Sequence, residues 1–402
     1  MPKKDLYEQL VRGYEFMLGA MPNHDQFLEA LRKSFSEEDI RLVLLLPLAG
    51  DIPIASLVKK AAKIGIPEER VYEIVRRLVP EGLIASYIKP EDSDGDAIAY
   101  PTAAPLVDMK HTGRVVARGD IVSMSEMQVR KHEDDLMRQA AAVWMNAMTE
   151  DAARSIPTRT PYFRVIPYEG SITRQPSYGD VTLDAPVPDP RQVLPFDIVS
   201  EMVKKQPVMA VAECYCRRTK IIMGEPCDHP LETCLYFNGL ALLQMETGRA
   251  RRIDVEEALQ ILERAEEAGL VHNISNSGGK ISTICNCCTC SCGAMKSLKM
   301  GGRNAANVSR YRAVVNTETC IMCGECEAAC PMEAIHMEDD ILIDAVRCIG
   351  CGLCVRTCPE GSLSMTLRED QPKIYEELPK LTRQITREAV VGLVKKKIFG
   401  RY

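Results

Sequence analysis

The chain has 402 residues, 17 cysteines and a formal net charge of −6, and every cysteine lies between Cys214 and Cys358. That clustering excludes a disulfide-stapled secreted scaffold, which is short and spreads its bridges through the fold. The slight acidity argues against a protein that coats polyanions, and the 46% hydrophobic content excludes wholesale disorder.

In chain order, residues 1–36 read as amphipathic helices, with Leu6, Leu10, Tyr14 and Met17 at three-to-four spacing, a break at Pro22, then Phe27, Leu31 and Phe35. Met1–Leu10 has two lysines without an apolar run behind them, and the longest apolar stretch, Leu42–Ala49, contains Pro47, so neither a signal peptide nor a spanning helix is expected. Helices follow from Ser36 to Leu46, Ile54 to Lys63 and Pro67 to Val79, where Pro67 suits a first helical turn and Gly82 lies beyond the stop. The runs LIASYIKP and AIAYPTA flank the turn EDSDGD and predict a hairpin. Three short helices and a hairpin resemble a winged helix-turn-helix domain over 37–105. Its presumed reading helix carries Glu68, Glu69 and Glu73 against Arg70, Arg76 and Arg77. That balance is poor for phosphate contact, so protein docking or a structural role is expected ahead of DNA binding.

The segment 106–207 combines a predicted helix from Ser123 to Asp151 with a proline-rich stretch. Met124, Met127, Leu136, Val143, Trp144 and Met148 are candidate core residues of that helix. Eight prolines between 156 and 195 predict extended chain, because proline removes a backbone donor and biases its predecessor away from helix. The segment 208–300 is a cysteine-rich domain expected to be helical. Its clearest element runs from Asp254, an N-cap, through Val255, Leu259, Leu262 and Ala265 to Gly269.

The most specific signal lies at 320–358. Cys320-x2-Cys323-x2-Cys326-x3-Cys330-Pro331 is repeated as Cys348-x2-Cys351-x2-Cys354-x3-Cys358-Pro359. Two-residue gaps let one tight loop present three thiolates to a cubane iron–sulfur cluster. Zinc also favours Cys-x2-Cys pairs, but paired zinc sites do not demand the threefold spacing with a trailing Cys-Pro. From Ala313 to Thr366 the sequence resembles the bacterial dicluster ferredoxins. The resemblance implies two [4Fe–4S] clusters, one held by Cys320, Cys323, Cys326 and Cys358, the other by Cys348, Cys351, Cys354 and Cys330. This module, 313–366, holds nine acids and two bases, which would steer it toward a basic patch on a redox protein or enzyme complex. The tail 367–402 is basic and amphipathic. It is compatible with peripheral contact to an anionic membrane, although a helix packed back on the acidic module is the more ordinary outcome.

Nine cysteines remain: Cys214, Cys216, Cys227, Cys234, Cys285, Cys287, Cys288, Cys290 and Cys292. Dense thiols beside cluster motifs are most economically ligands, and at least one additional iron–sulfur cluster is expected here. The first four and last five could form separate sets, or the two ends could share. Zinc with His229 or His272, or thiol–disulfide exchange, are the alternatives. The pattern AECYCRR…CDHPLETC with ICNCCTCSC also resembles a domain of poorly characterised iron–sulfur proteins of anaerobes, a resemblance that carries no activity. The expected whole is a cytoplasmic, multidomain α+β electron-transfer protein, an electron carrier or subunit ahead of a stand-alone oxidoreductase. The competing functions are a redox-sensing winged-helix regulator and a reductase using the middle cluster.

Overall fold

The computed structural model describes residues 5–18, 21, 23–48, 51–87, 115–119, 121–150, 158–173, 197–278, 281–302 and 304–399. It is a mixed α/β chain with two compact units, one of 1–151, 208–232 and 236–252, the other of 152–207, 233–235 and 253–402.

The first unit begins with α1 (Leu6–Leu18), α2 (His24–Ser34) and α3 (Glu37–Leu44). Ser36 and Asp39 form a reciprocal capping box that fixes where α3 starts. Then come β1 (Ile52–Pro53), α4 (Ile54–Ala62), α5 (Glu68–Leu78), β2 (Ile84–Tyr87) and β3 (Val115–Arg118). The strands form an antiparallel sheet in the order β1-β3-β2, with Val116 opposite both Ile52 and Ser86. Thus β2 pairs with Val115–Arg118, and the AIAYPTA run expected as its partner lies outside the described residues.

The single helix expected from Ser123 to Asp151 is two, α6 (Ile121–Val129) and α7 (Leu136–Glu150). The polar run between them breaks the apolar pattern, and the Asp135 carboxylate accepts from Arg138 N at 2.7 Å, starting a new helix. Trp144 and Met145 of α7 join Leu10, Phe27, Ile40 and Leu57 in one apolar cluster, the core role predicted for Trp144.

The chain then contributes β4 (Phe163–Ile166), α8 (Glu169–Thr173) and α9 (Val199–Lys204) to the second unit. It continues with β5 (Met209–Glu213), α10 (Tyr215–Ile222), β6 (Glu232–Phe237), α11 (Asn238–Glu246) and β7 (Arg251–Ile253). Within the first unit, buried Arg130 clamps this later segment to α6, donating to Glu213 O at 2.9 Å and to the Tyr236 hydroxyl at 2.7 Å. Arg249 does the same from the other side, donating to Met127 O at 3.2 Å and Pro80 O at 2.9 Å.

In the second unit, α12 (Val255–Glu267) starts at Asp254, whose carboxylate accepts from Glu257 N at 2.8 Å. The next strands, β8 (Val271–Ser275) and β9 (Thr283–Cys287), are followed by α13 (Gly293–Lys299) and β10 (Ala306–Asn307). The strands run β10-β4-β8-β9, with β10 parallel to β4 and the other neighbours antiparallel. The expectation of a helical cysteine-rich region is therefore corrected: β5 to β9 make it mixed. The polar side chains of β8 hid it, because His272, Asn273 and Ser275 are buried on hydrogen-bonding partners instead of alternating with apolar residues.

The C-terminal part of this unit comprises β11 (Tyr311–Val315), α14 (Glu325–Ala328), β12 (Ile335–Met337), β13 (Ile341–Ile343), α15 (Leu353–Thr357) and β14 (Leu363–Leu367). β11 pairs with β14, and β12 with β13, both antiparallel. A final helix, α16 (Leu378–Phe399), is anchored through Leu381 and through Glu388, whose carboxylate accepts from Arg159 N and Thr160 N, both at 2.8 Å. Among the described residues no helix is long and apolar enough to cross a membrane.

Candidate metal centre

Each cysteine run folds as a loop feeding a one-turn helix, and the glycine before each helix makes the reversal possible. Gly324 and Gly352 are the N-caps of α14 and α15 at φ +82° and +81°, a left-handed conformation that costs any residue with a Cβ about 1–2 kcal/mol. Gly350 has a stricter constraint. At φ +70°, a Cβ there would sit 2.0 Å from Tyr311 O, so the second loop lies against β11 with no room for a side chain. Gly324→Ala should therefore cost the module about 1–2 kcal/mol. Gly350→Ala should cost more than twice that and strip metal from the second site, as read by thermal melts and iron retention on a desalting column.

The loops enclose two cavities. One is lined by Cys320, Cys323, Cys326 and Cys358, with Met337, Ile341 and Leu363 closing its apolar side. The other is lined by Cys348, Cys351, Cys354 and Cys330, with Ala313, Ile335 and Ile349. Each thus gathers three thiols from one run and the last thiol of the other. Four convergent soft donors around an apolar hollow suit a cubane cluster, which needs thiolate ligands and is destabilised by water.

The two sites differ in burial. Cys323 is exposed, and Ile321 and Met322 beside it are 60% and 38% exposed, so the first cavity sits at a surface. Exposed Glu318, Glu325, Glu327 and Glu360 lie in or next to that loop set. At the second cavity, Cys348 and Cys354 are buried. Tyr168 and Ser171 cover it: Tyr168 N donates to Cys351 O at 2.8 Å, and a Cβ on Gly352 would meet Ser171 Oγ at 2.2 Å.

Electrostatics follow the burial. Burial pushes the Cys351 thiol up to about 12, opposed by a hydrogen bond from the Leu353 amide. Burial likewise raises Cys354 well above an ordinary thiol. Cys326 is raised by burial and pulled back by the amides of Cys326 and Glu327. Ala334 N donates to Cys330 Sγ at 3.3 Å. Such amides stabilise negative charge on sulfur, while the low-dielectric setting resists it until a cation arrives.

Arg368, just beyond β14, was not singled out by the sequence. It is 7% exposed and donates to Ser309 O at 3.1 Å, Tyr311 O at 3.0 Å and Cys348 O. Burial lowers its pKa, and the nearby Cys348 sulfur is the largest opposing influence. Only its position directly after Leu367, the last hydrophobic of β14, could have suggested it.

All seventeen cysteines are among the described residues, and none forms a disulfide. In the first unit, Cys214 is the N-cap of α10, Cys216 lies in its first turn, and Cys227 and His229 bring their ligand atoms within 4.8 Å of each other. Burial depresses the His229 pKa, with Arg217 adding to the effect. Cys234, which belongs to the second unit, is buried on β6. In the second unit, Cys285 and Cys287 lie on β9, Cys292 is the N-cap of α13, and the sulfurs of Cys288 and Cys290 lie within 4.8 Å of each other. The other histidine considered as a ligand, His272, is held by Glu266 at 2.9 Å and Asn286 at 2.5 Å.

Comparison with known families places residues 313–365 in the 4Fe-4S dicluster domain. The C-terminal module is therefore a ferredoxin-like iron–sulfur module that binds [4Fe–4S] clusters, the class of protein its paired thiol cavities describe. Neither the curated proteins nor the solved structures contain a match to the chain.

Proposed function

We propose that this chain is an electron-transfer protein whose ferredoxin module holds two [4Fe–4S] clusters, one on Cys320, Cys323, Cys326 and Cys358, the other on Cys348, Cys351, Cys354 and Cys330. The observation that carries the reading is the sorting of these eight thiols into two cavities of four. A bound cubane accepts and releases one electron at a time. The protein's part is to hold the thiolates, keep water from them and set how readily charge is accepted.

Exposure makes the first site the point of exchange with a partner. Its apolar rim of Ile321 and Met322 and its acidic surround fit a redox protein with a cationic docking face. Burial under Tyr168 and Ser171 makes the second site the inner station, and the middle cysteine field is where a further cluster would extend the path. The helices α3 to α5 with β1 to β3 follow the order of a winged helix, for which we propose protein docking because the α5 surface offers no net positive charge.

Anaerobic stopped-flow mixing of the photoreduced protein with cytochrome c, a cationic acceptor, tests this. Electron transfer should be second order and slow by about tenfold or more as salt rises from low to high ionic strength. Glu325→Gln and Glu327→Gln should lower the low-salt rate. No transfer, or a rate indifferent to salt and to both substitutions, contradicts the proposal.

A further inference from the structure

Three cysteines of the middle field converge inside the second unit. Strand alternation puts Cys285 and Cys287 on one face of β9 and Asn286 on the other, with the two cysteines about 7 Å apart along the strand. The chain then turns and returns Cys292 at the start of α13. The Cys287 thiol lies close to those of both Cys285 and Cys292.

Their surroundings connect them to the ferredoxin module. Cys287 and Cys292 belong to the same apolar cluster as Cys326, Cys348 and Cys354, and Cys285 packs against that cluster together with Cys320, Cys330, Cys351 and Cys358. The far face of β9 is pinned by a hydrogen-bonded chain. Asn286 Nδ2 donates to Thr233 O at 2.7 Å, leaving Oδ1 to accept from His272 Nδ1 at 2.5 Å. His272 Nε2 meets Glu266 Oε1 at 2.9 Å, and Arg356 Nη1 donates to Glu266 Oε2 at 3.1 Å. Arg356 lies between Cys354 and Cys358, so the chain ties the strand bearing two thiols to the loop bearing ligands of both ferredoxin sites. Buried supports of this kind fix ligand orientation in metal centres.

Three thiols gathered in and against one core, Cys287 and Cys292 buried in it and Cys285 half-buried beside them, make a poor structural core. As thiols they offer only weak hydrogen bonds, and as thiolates they repel one another in a low-dielectric setting. A thiophilic metal centre reverses both terms, because binding displaces the protons and supplies the opposite charge. We propose that Cys285, Cys287 and Cys292 supply three corners of a further iron–sulfur cluster, built into the core that encloses the two ferredoxin sites. It rests on the electron-transfer reading above and names the thiols of the further cluster. Position in a shared core makes it a station neighbouring the two ferredoxin sites.

The test uses the full chain reconstituted anaerobically with iron and sulfide, comparing wild type with Cys287→Ala, Cys287→Ser and Cys292→Ser. Wild type should retain about twelve irons, and each variant should lose about four while keeping the reduced ferredoxin EPR signal. That signal also certifies that the second unit has folded, so only variants that keep it are scored. The inference is overturned if wild type holds eight irons, if the variants lose none, or if zinc occupies the thiols. Those outcomes leave the ferredoxin reading standing, whereas a wild type without any [4Fe–4S] signal would remove that reading first.

Discussion

Cys358→Ala should empty the first ferredoxin site, and Cys330→Ala should empty the second, although each residue lies in the cysteine run that mainly serves the opposite site. Each variant should lose about four irons and one of the two ferredoxin centres, with the other ferredoxin centre retained. Cys358 lines the cavity of Cys320, Cys323 and Cys326, and Cys330 lines that of Cys348, Cys351 and Cys354. Double variants provide the discriminating comparison. Cys358→Ala with Cys323→Ala should be no worse than either alone, because both act on one site, whereas Cys358→Ala with Cys351→Ala should lose both clusters. If Cys358→Ala instead abolished only the centre that depends on Cys351, each run would bind its own cluster and the crossed assignment would be wrong.

Arg368→Met should produce two separable effects. The guanidinium satisfies carbonyls of Ser309, Tyr311 and Cys348 from a buried position, and removing it leaves acceptors without a donor. A loss of about 2–4 kcal/mol is expected, read as a lower unfolding midpoint of the second unit. The variant also deletes a positive charge beside the second cavity, which makes adding an electron there harder. A unit charge acting over roughly 10 Å at an effective dielectric near 20 is worth about 1.7 kcal/mol, or about 70 mV for one electron. The second site should shift downward by about that amount while the exposed first site moves much less. Arg368→Lys separates the contributions: it keeps the charge and most of the potential but loses the forked contacts and part of the stability. Equal shifts at both sites would contradict the placement of Arg368.

Legibility in the sequence tracked how local each feature is. The ferredoxin loops could be read because three thiols within seven residues define one corner set, and the glycines at 324, 350 and 352 mark the reversals. The Asp254 cap and the apolar stripe behind it likewise announce α12 before any tertiary contact is considered. What stayed hidden depends on distant partners. Strand β8 escapes a period-two reading because Glu266 and Asn286 make burial of His272 tolerable. Tyr168 and Ser171 lie well over a hundred residues before the loop they cover, and Arg368 looks like any surface arginine until its three carbonyls are seen. In the middle field, spacing could not choose among nine thiols, because they are spread over β6, β9, the starts of α10 and α13 and the turns between, not gathered in one compact loop.

The central claim is that two cubanes in the C-terminal module carry single electrons from an exposed site to a buried one. Its most direct test is an EPR-monitored potentiometric titration of the anaerobically prepared full chain. The account predicts that the two one-electron [4Fe–4S] centres of the ferredoxin module broaden each other's signals when both are reduced, with the centre lost in Cys351→Ala at the higher potential because Arg368 and Arg356 lie near it. A chain that binds zinc, or that shows no paramagnetic centre on reduction despite full iron and sulfide loading, would contradict it.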